Sequence, residues 1–462
     1  ARAGLEIGRT EGDVVLVADP DLRDLTALRF NPHVRAKEGR PGEGSNRSGS
    51  HGAALEVPVP VGTQVFTDDG TLGETRTVAG GPQESIAQAD WAPDGSLLHA
   101  SDRTGWWNLY RDGVPLCPRE EEFAGPLWKL GQRWFAPLES GPVAVVHGRG
   151  ATALGLLDPE TGEIVDAAGP WTEFGATLAV HGERIVAVGA SPRSAYEVVE
   201  LDTRTGRARV VGAEHEDAVD PAHYPEPQIR TFTGPAGRDI HAHVYPPHSA
   251  ACVPPGDELP PYVVWAHGGP TSRAPLVLDL AIAYFTSRGI GVAEVDYGGS
   301  TGYGREYRDR LREQWGVVDV EDCAAVALAL ADEGTADRDR LAIRGGSAGG
   351  WTAAASLAAT DVYACGTILY PVLDLATWAE GETHDFESQY LESLVGPLDE
   401  VPGRYAERSP AEQADRITAP FLLLQGLDDV ICPPSQCVRV LERMEGRRGP
   451  QAYLAFEGWG HG

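Results

Sequence analysis

Leu341-Ala342-Ile343-Arg344-Gly345-Gly346-Ser347-Ala348-Gly349-Gly350-Trp351-Thr352-Ala353-Ala354-Ala355 is the stretch on which the reading of this chain turns. Arg340–Arg344 is a short β-like run, and the alanine-rich run from Trp351 to Ala359 reads as a helix. Between them stands G-x-S-x-G. A serine held on a tight, strained turn between a strand and a helix projects its hydroxyl from the sheet. The flanking glycines are there because side chains beside it would clash with the neighbouring strand and helix. The following helix also presents its N-terminus to any negative charge that develops at the serine.

Downstream, two further strand-like runs end in ionisable residues. Pro420-Phe421-Leu422-Leu423-Leu424-Gln425 leads to Gly426 and the pair Asp428-Asp429, either of which could serve as an acid. Ala452–Phe456 leads to a glycine-flanked histidine, His461. In open, mostly parallel sheets, sites form outside the carboxyl ends of strands, so three strand ends can gather Ser347, an aspartate and His461. The order serine, acid, histidine is that of α/β-hydrolases. Upstream, Pro261–Ala266 reads as a central strand ending in His267-Gly268-Gly269-Pro270. A glycine-rich loop after an early strand and the residue after the nucleophile supply the two N–H donors of an oxyanion hole, here Gly269 and Ala348.

Four motifs stand in order: His267-Gly268-Gly269-Pro270, Asp296-Tyr297-Gly298-Gly299-Ser300-Thr301-Gly302-Tyr303-Gly304, Trp315–Val320 and the Gly345–Gly350 run. Together they resemble the prolyl oligopeptidase family of serine peptidases, most closely its acylaminoacyl-peptidase and dipeptidyl-aminopeptidase-like branch, over the chain from about Arg230 to the end. The resemblance implies an α/β-hydrolase catalytic domain, a mostly parallel sheet flanked by helices, preceded by a β-propeller. It implies Asp429 as the acid, because Gly426, Asp429, Cys432 and Pro433 fit the family spacing, with Asp428 a turn residue. Cys432 replaces the usual valine, and Ile431 stands where several members carry a carbonyl-binding arginine. His267 occupies the place of a tyrosine that serves the oxyanion hole in some members, which supports the Gly269 N–H in that role. Tyr303 lies in a loop that lines the pocket or simply packs. Glu120 and Glu121 are candidates to bind a peptide amino terminus, against the plainer reading of a solvated loop.

A length of 462 residues exceeds one core, and two domains are expected: 1–226 propeller-like and 227–462 catalytic, with the linker near Pro221–Pro227. The first half has short apolar runs between Gly, Pro and Asp turns. Leu157-Asp158-Pro159-Glu160-Thr161-Gly162 and Leu201-Asp202-Thr203-Arg204-Thr205-Gly206, roughly 44 residues apart, read as equivalent hairpin turns of successive blades. Trp91 to Arg111 reads as another blade, its aromatics filling the space between blades. At this period the region holds about five blades, fewer than the family commonly has, so the propeller is expected to be shortened or truncated. Lys37–Gly52 reads as a mobile loop. In the second half, Ile240–Tyr245, Gly289–Asp296 and Cys365–Tyr370 read as strands and Val320–Asp332 as a helix with Asp319 as its N-cap.

The formal charge of −30, from 68 acidic and 38 basic residues, argues against nucleic acid and anionic membranes as partners. Six scattered cysteines without metal or redox spacing read as reduced thiols and point to the cytoplasm. Ala1 is not a natural start and the only methionine is Met444, so a leader ahead of the sequence stays compatible with it; more chain is likewise expected after Gly462. The expected activity is hydrolysis of short peptides through an acyl-enzyme, aminopeptidase-like or acylaminoacyl-peptidase-like, with no metal and no organic cofactor; a homo-oligomer is compatible with this. The rival readings are a carboxylesterase or other acyl hydrolase with the same three residues, and a non-catalytic propeller scaffold.

Overall fold

The computed structural model describes residues 77–462 apart from 130, 214–218, 253–255, 257, 384–386, 388, 447–450 and 462. Within residues 1–76 it describes only the backbone of four strands, Glu6–Gly8, Val14–Asp19, His33–Arg35 and Leu55–Pro60. The chain forms two compact units, Ala1–Val78 with Leu127–Gln132, and Ala79–Pro126 with Arg133–Gly462. In the first, Glu6–Gly8 pairs in parallel with His33–Arg35, and Val14–Asp19 with Leu55–Pro60. The loop expected at Lys37–Gly52 lies outside the described residues.

The second unit is organised by an eight-stranded sheet: β1 (Gln228–Thr233), β2 (Asp239–Tyr245), β3 (Tyr262–Ala266), β4 (Gly291–Asp296), β5 (Leu341–Gly346), β6 (Cys365–Leu369), β7 (Phe421–Gly426) and β8 (Gln451–Phe456). Its order is β1-β2-β4-β3-β5-β6-β7-β8. β2 is antiparallel to β1 and to β4, and every other pair is parallel. Register sets Ala266 beside Gly345, Gly346 beside Leu369, and Gly426 beside Phe456. Six consecutive strands, β4 to β8 in that order, therefore finish along one edge, where the loops that leave them begin.

One face of this sheet is the main core. Val264, Ile343, Ile368 and Leu423 alternate with half-exposed neighbours, the period of a pleated strand, and are buried against the helices Val318–Asp332 and Ala348–Ala359. Small alanines let the second helix lie close on the strands, while Trp315 and Trp351, both fully buried with ring centroids 4.9 Å apart, fill the wider gap at its side. Burying one such large apolar side chain stabilises by about 1.5–3 kcal/mol. The other face is less completely covered. On β8, the outermost strand, Leu454 and Phe456 are 49% and 43% exposed.

The helix expected at Val320–Asp332 begins at Val318, and Asp319 lies in its first turn rather than capping it. The Asp319 carboxylate accepts hydrogen bonds from Gly316 N–H at 2.7 Å and from the Thr352 hydroxyl at 2.6 Å, tying this helix to the one that follows Ser347.

Ahead of the eight-stranded sheet stand propeller-like antiparallel sheets. The described residues give three: Ile86–Trp91 to Val114–Pro115, Phe135–Pro137 to Ile164–Asp166, and Glu173–Phe174 to Arg207–Ala213. The two repeat segments turn equivalent hairpins. Asp158 accepts from Glu160 N–H and Thr161 N–H, Asp202 accepts from Arg204 N–H and Thr205 N–H, and the closing Gly162 and Gly206 sit at φ 73° and 66°. Trp107 packs between the first two sheets, but Trp91 points outward and is 67% exposed, so it does not fill the space between them.

Candidate active site

β5 ends at Gly346 and the helix begins at Ala348, leaving Ser347 alone at the corner. Its φ of 56° lies in the left-handed region, where a residue bearing a Cβ is strained; such strain persists only where the surroundings over-determine it. The glycines supply that constraint. A Cβ at Gly349 would collide with the Ala266 carbonyl oxygen, one at Gly345 with the Gly349 carbonyl oxygen, and one at Gly346 would stand 2.6 Å from the Tyr370 hydroxyl. The strand and the helix are thus packed backbone to backbone, and the serine side chain is aimed out over the edge where the strands end.

The loops from β7 and β8 bring two groups to it. His461 Nε2 lies 2.9 Å from Ser347 Oγ, and His461 Nδ1 lies 2.9 Å from Asp429 Oδ2. With an ionised Asp429, Nδ1 carries the proton and donates it to the carboxylate, so Nε2 is the lone-pair nitrogen facing the serine hydroxyl. Asp429 is buried, and its other oxygen accepts from Ile431 N–H and Cys432 N–H, each at 2.9 Å. Burial pushes this carboxyl up. The hydrogen bond from His461 and those from the Cys432 and Ile431 amides outweigh it and hold the group below the usual carboxylate range. Asp428 instead is an exposed turn residue whose N–H donates to Trp459 carbonyl at 2.9 Å. Tyr370 stands edge-on to the His461 ring at 4.9 Å. Cys432 lies against Ser347, and burial keeps its thiol protonated.

The glycine loop after β3 reaches the same corner. A Cβ at Gly268 would be 3.5 Å from Ser347 Cβ. His267, largely buried and stacked on Tyr297 at 4.3 Å, fixes the next peptide: its Nδ1 donates to the Gly268 carbonyl at 2.7 Å, and its Nε2 accepts from the Ser300 hydroxyl at 2.6 Å. Burial lowers the pKa of this histidine, which favours the neutral ring that this pattern requires. In a trans peptide the carbonyl and the following N–H point opposite ways. Holding the Gly268 carbonyl on the His267 side therefore turns the Gly269 N–H the other way. Among the described residues neither Gly269 N–H nor Ala348 N–H donates a hydrogen bond.

The remaining candidates are placed elsewhere. Tyr303 donates to Asp296 Oδ2 at 2.6 Å and stacks on His241 at 4.1 Å, so packing accounts for its contacts. Glu121 is engaged by His147 Nδ1 at 2.7 Å, and Glu120 is exposed, 4.0 Å from Arg149. Sequence reasoning gave Ser300 no role of its own and took Glu122 only as part of the run Glu120–Glu122, a candidate to bind a peptide amino terminus or a solvated loop. Ser300 sat in plain view in the glycine-rich motif after Asp296; the burial of Glu122 had no counterpart in its acidic run. Among the described residues no group of three or more His, Cys, Asp or Glu side chains is arranged to hold a metal ion, and no helix is long and apolar enough to cross a membrane. All six cysteines are free.

This strand order, with a strained serine corner on its fifth strand, defines an α/β-hydrolase. Residues 277–462 match the Prolyl oligopeptidase family, and residues 7–85 match GTP1/OBG. Over residues 277–462 the chain is similar to the prolyl oligopeptidase family of serine peptidases. It is 28% identical over 212 residues to dipeptidyl aminopeptidase BIII of Pseudoxanthomonas mexicana, covering 44% of this chain and 30% of that relative. It is similar to the crystal structure of a puromycin hydrolase, with 70% identity and a TM-score of 0.83, over 86% of this chain and 61% of that one. A puromycin-hydrolyzing peptidase of Mycobacterium tuberculosis shares 49% identity with a TM-score of 0.82 over the same shares of the two chains. The chain thus spans less than two thirds of the length of each of these relatives.

Proposed function

We propose that this chain is the hydrolytic part of a serine peptidase that cleaves amide bonds of short peptides and aminoacyl amides by way of an acyl-enzyme. The observation that carries the reading is the unbroken hydrogen-bond chain Ser347–His461–Asp429, each link 2.9 Å, beside a glycine loop with a free N–H. In this reading His461 takes the proton of Ser347 as the hydroxyl attacks the carbonyl carbon. Asp429 holds the ring in the correct tautomer and stabilises the imidazolium that forms. The Gly269 and Ala348 N–H groups donate to the carbonyl oxygen as charge develops on it; one such donor is worth about 3–4 kcal/mol by removal. His461 then returns the proton to the leaving amine and activates the water that hydrolyses the ester.

The aminoacyl amide class follows from the likeness to puromycin-hydrolysing enzymes together with the matched peptidase family. Turnover of aminoacyl p-nitroanilides with free and with acylated amino termini, of puromycin, and of simple p-nitrophenyl esters tests it. Amide turnover at rates comparable to ester turnover is expected; turnover of esters alone would point to an esterase. Ser347→Ala should lower amide turnover by several orders of magnitude, leaving roughly 10³–10⁴ over the water reaction, and should abolish labelling by a fluorophosphonate. Full amide turnover by that variant would overturn the assignment of the nucleophile.

A further inference from the structure

Glu122 is a buried carboxylate, 7% exposed, that the mechanism above does not use. It belongs to the antiparallel sheets, and its backbone is fixed there by a reciprocal pair with Gly148: Glu122 N–H to Gly148 O at 2.8 Å and Gly148 N–H to Glu122 O at 3.1 Å. Its side chain joins two parts of the fold. Oε2 accepts from Trp107 N–H at 2.8 Å within the sheets, and Oε1 accepts from Gly304 N–H at 3.1 Å in the hydrolase part. Both donors are neutral amides. Arg308, whose charge acts on Glu122, gives its guanidinium to Asp102 Oδ2 at 2.5 Å and lies over the Trp107 ring at 4.2 Å. Gly304 closes the loop whose Ser300 holds His267, and the same loop is bonded to the sheets by Gly150 N–H to Gly302 O at 3.0 Å and by Arg305 N–H to Gly105 O at 2.7 Å.

A buried carboxylate with neutral partners is easier to keep protonated than ionised. We propose that Glu122 is a protonation-dependent latch between the antiparallel sheets and the loop Gly298–Gly304, firm when the carboxyl is neutral and loosened when it ionises.

Burial, above all, raises the Glu122 pKa from 4.5 to about 7; Trp107 N–H, the Arg308 charge and Gly304 N–H pull it back down, and the buried Asp102 pushes it further up. The other charged or titratable groups on the elements packed around it are otherwise engaged. Arg305 is committed to Asp102, and His147 to Glu121 and Asp166; Arg149 and Glu120 are exposed. His241, behind the loop, is held low by burial and would give a slope of the opposite sign. The sign follows from linkage. Separating the two parts returns Glu122 to water and to its ordinary pKa, so contact is accompanied by proton uptake. Contact is strongest below pH 4.5, weakens as pH rises to about 7 and is constant above that, a change of roughly 300-fold at most.

The experiment is hydrogen exchange on the whole chain carrying Ser347→Ala, followed between pH 5.5 and 7.5, with rates corrected for intrinsic exchange. It needs no turnover, so its outcome is independent of the proposed function. Amides of residues 300–309 should lose roughly 20-fold in protection over that range, while those of Leu341–Gly346 stay constant as a control for the fold. The double variant carrying Glu122→Gln as well should show no such slope. A flat profile in the Ser347→Ala chain, or the same slope retained with Glu122→Gln, would overturn the latch. Should Glu122→Gln fail to fold, the slope of the Ser347→Ala chain decides alone.

Discussion

In the proposed mechanism His267 acts on a reaction it does not touch. Its ring holds the Gly268 carbonyl, and the orientation of the Gly269 N–H follows from the planarity of the peptide. His267→Ala removes that hold and leaves the peptide free to turn. The expected outcome is a fall in kcat of roughly 10²-fold with KM little changed, because the lost interaction exists only in the transition state. His267→Asn, able to donate from its amide, should recover part of the loss. Active-site titration with a fluorophosphonate beside steady-state kinetics on an aminoacyl p-nitroanilide separates these outcomes: a general loss of fold lowers the number of titratable sites, whereas the expected effect lowers kcat per titrated site. At this scale the sequence disclosed the residue types and the order in which they occur. It could not disclose that Tyr303 donates to Asp296 or that Glu121 pairs with His147, since both contacts join segments far apart along the chain.

The strand–serine–helix unit was legible because its constraints are local. Glycines on both sides of a serine, after β-branched and before alanine-rich segments, admit few conformations. What the sequence concealed was which glycine is held most tightly. Gly349 lies against the Ala266 carbonyl, and no side chain can move to relieve a clash with backbone. Gly349→Ala is therefore expected to destabilise by about 3 kcal/mol or more. Gly403, on the helix Pro402–Arg408, has open space where a Cβ would stand. Gly403→Ala should stabilise by about 0.5–1 kcal/mol. Urea unfolding of the two variants beside the parent chain measures both shifts. The start of the helix at Val318 was missed for a related reason. Asp319 has the composition of a cap, yet its carboxylate is drawn inward by Gly316 N–H and Thr352. A tertiary contact displaced a local preference.

Across the whole molecule, the alternation of strand and helix after residue 227 made the parallel sheet readable, and the hairpin repeat made the antiparallel sheets readable. Which aromatics lie between those sheets was not readable: Trp107 is buried and Trp91 exposed although both sit in similar surroundings along the chain. The bare side of β8 bears on how the protein behaves in a tube. Two oily side chains, on a strand whose outer edge pairs with no other strand among the described residues, invite a second molecule to add its own strand there. A net charge of −30 opposes that encounter at long range, and dissolved ions shorten its reach to about 10 Å at 0.1 M. Solutions should stay clear in dilute buffer and scatter increasingly as sodium chloride is added, and Phe456→Lys should abolish the rise. For this chain, gentle handling means little salt.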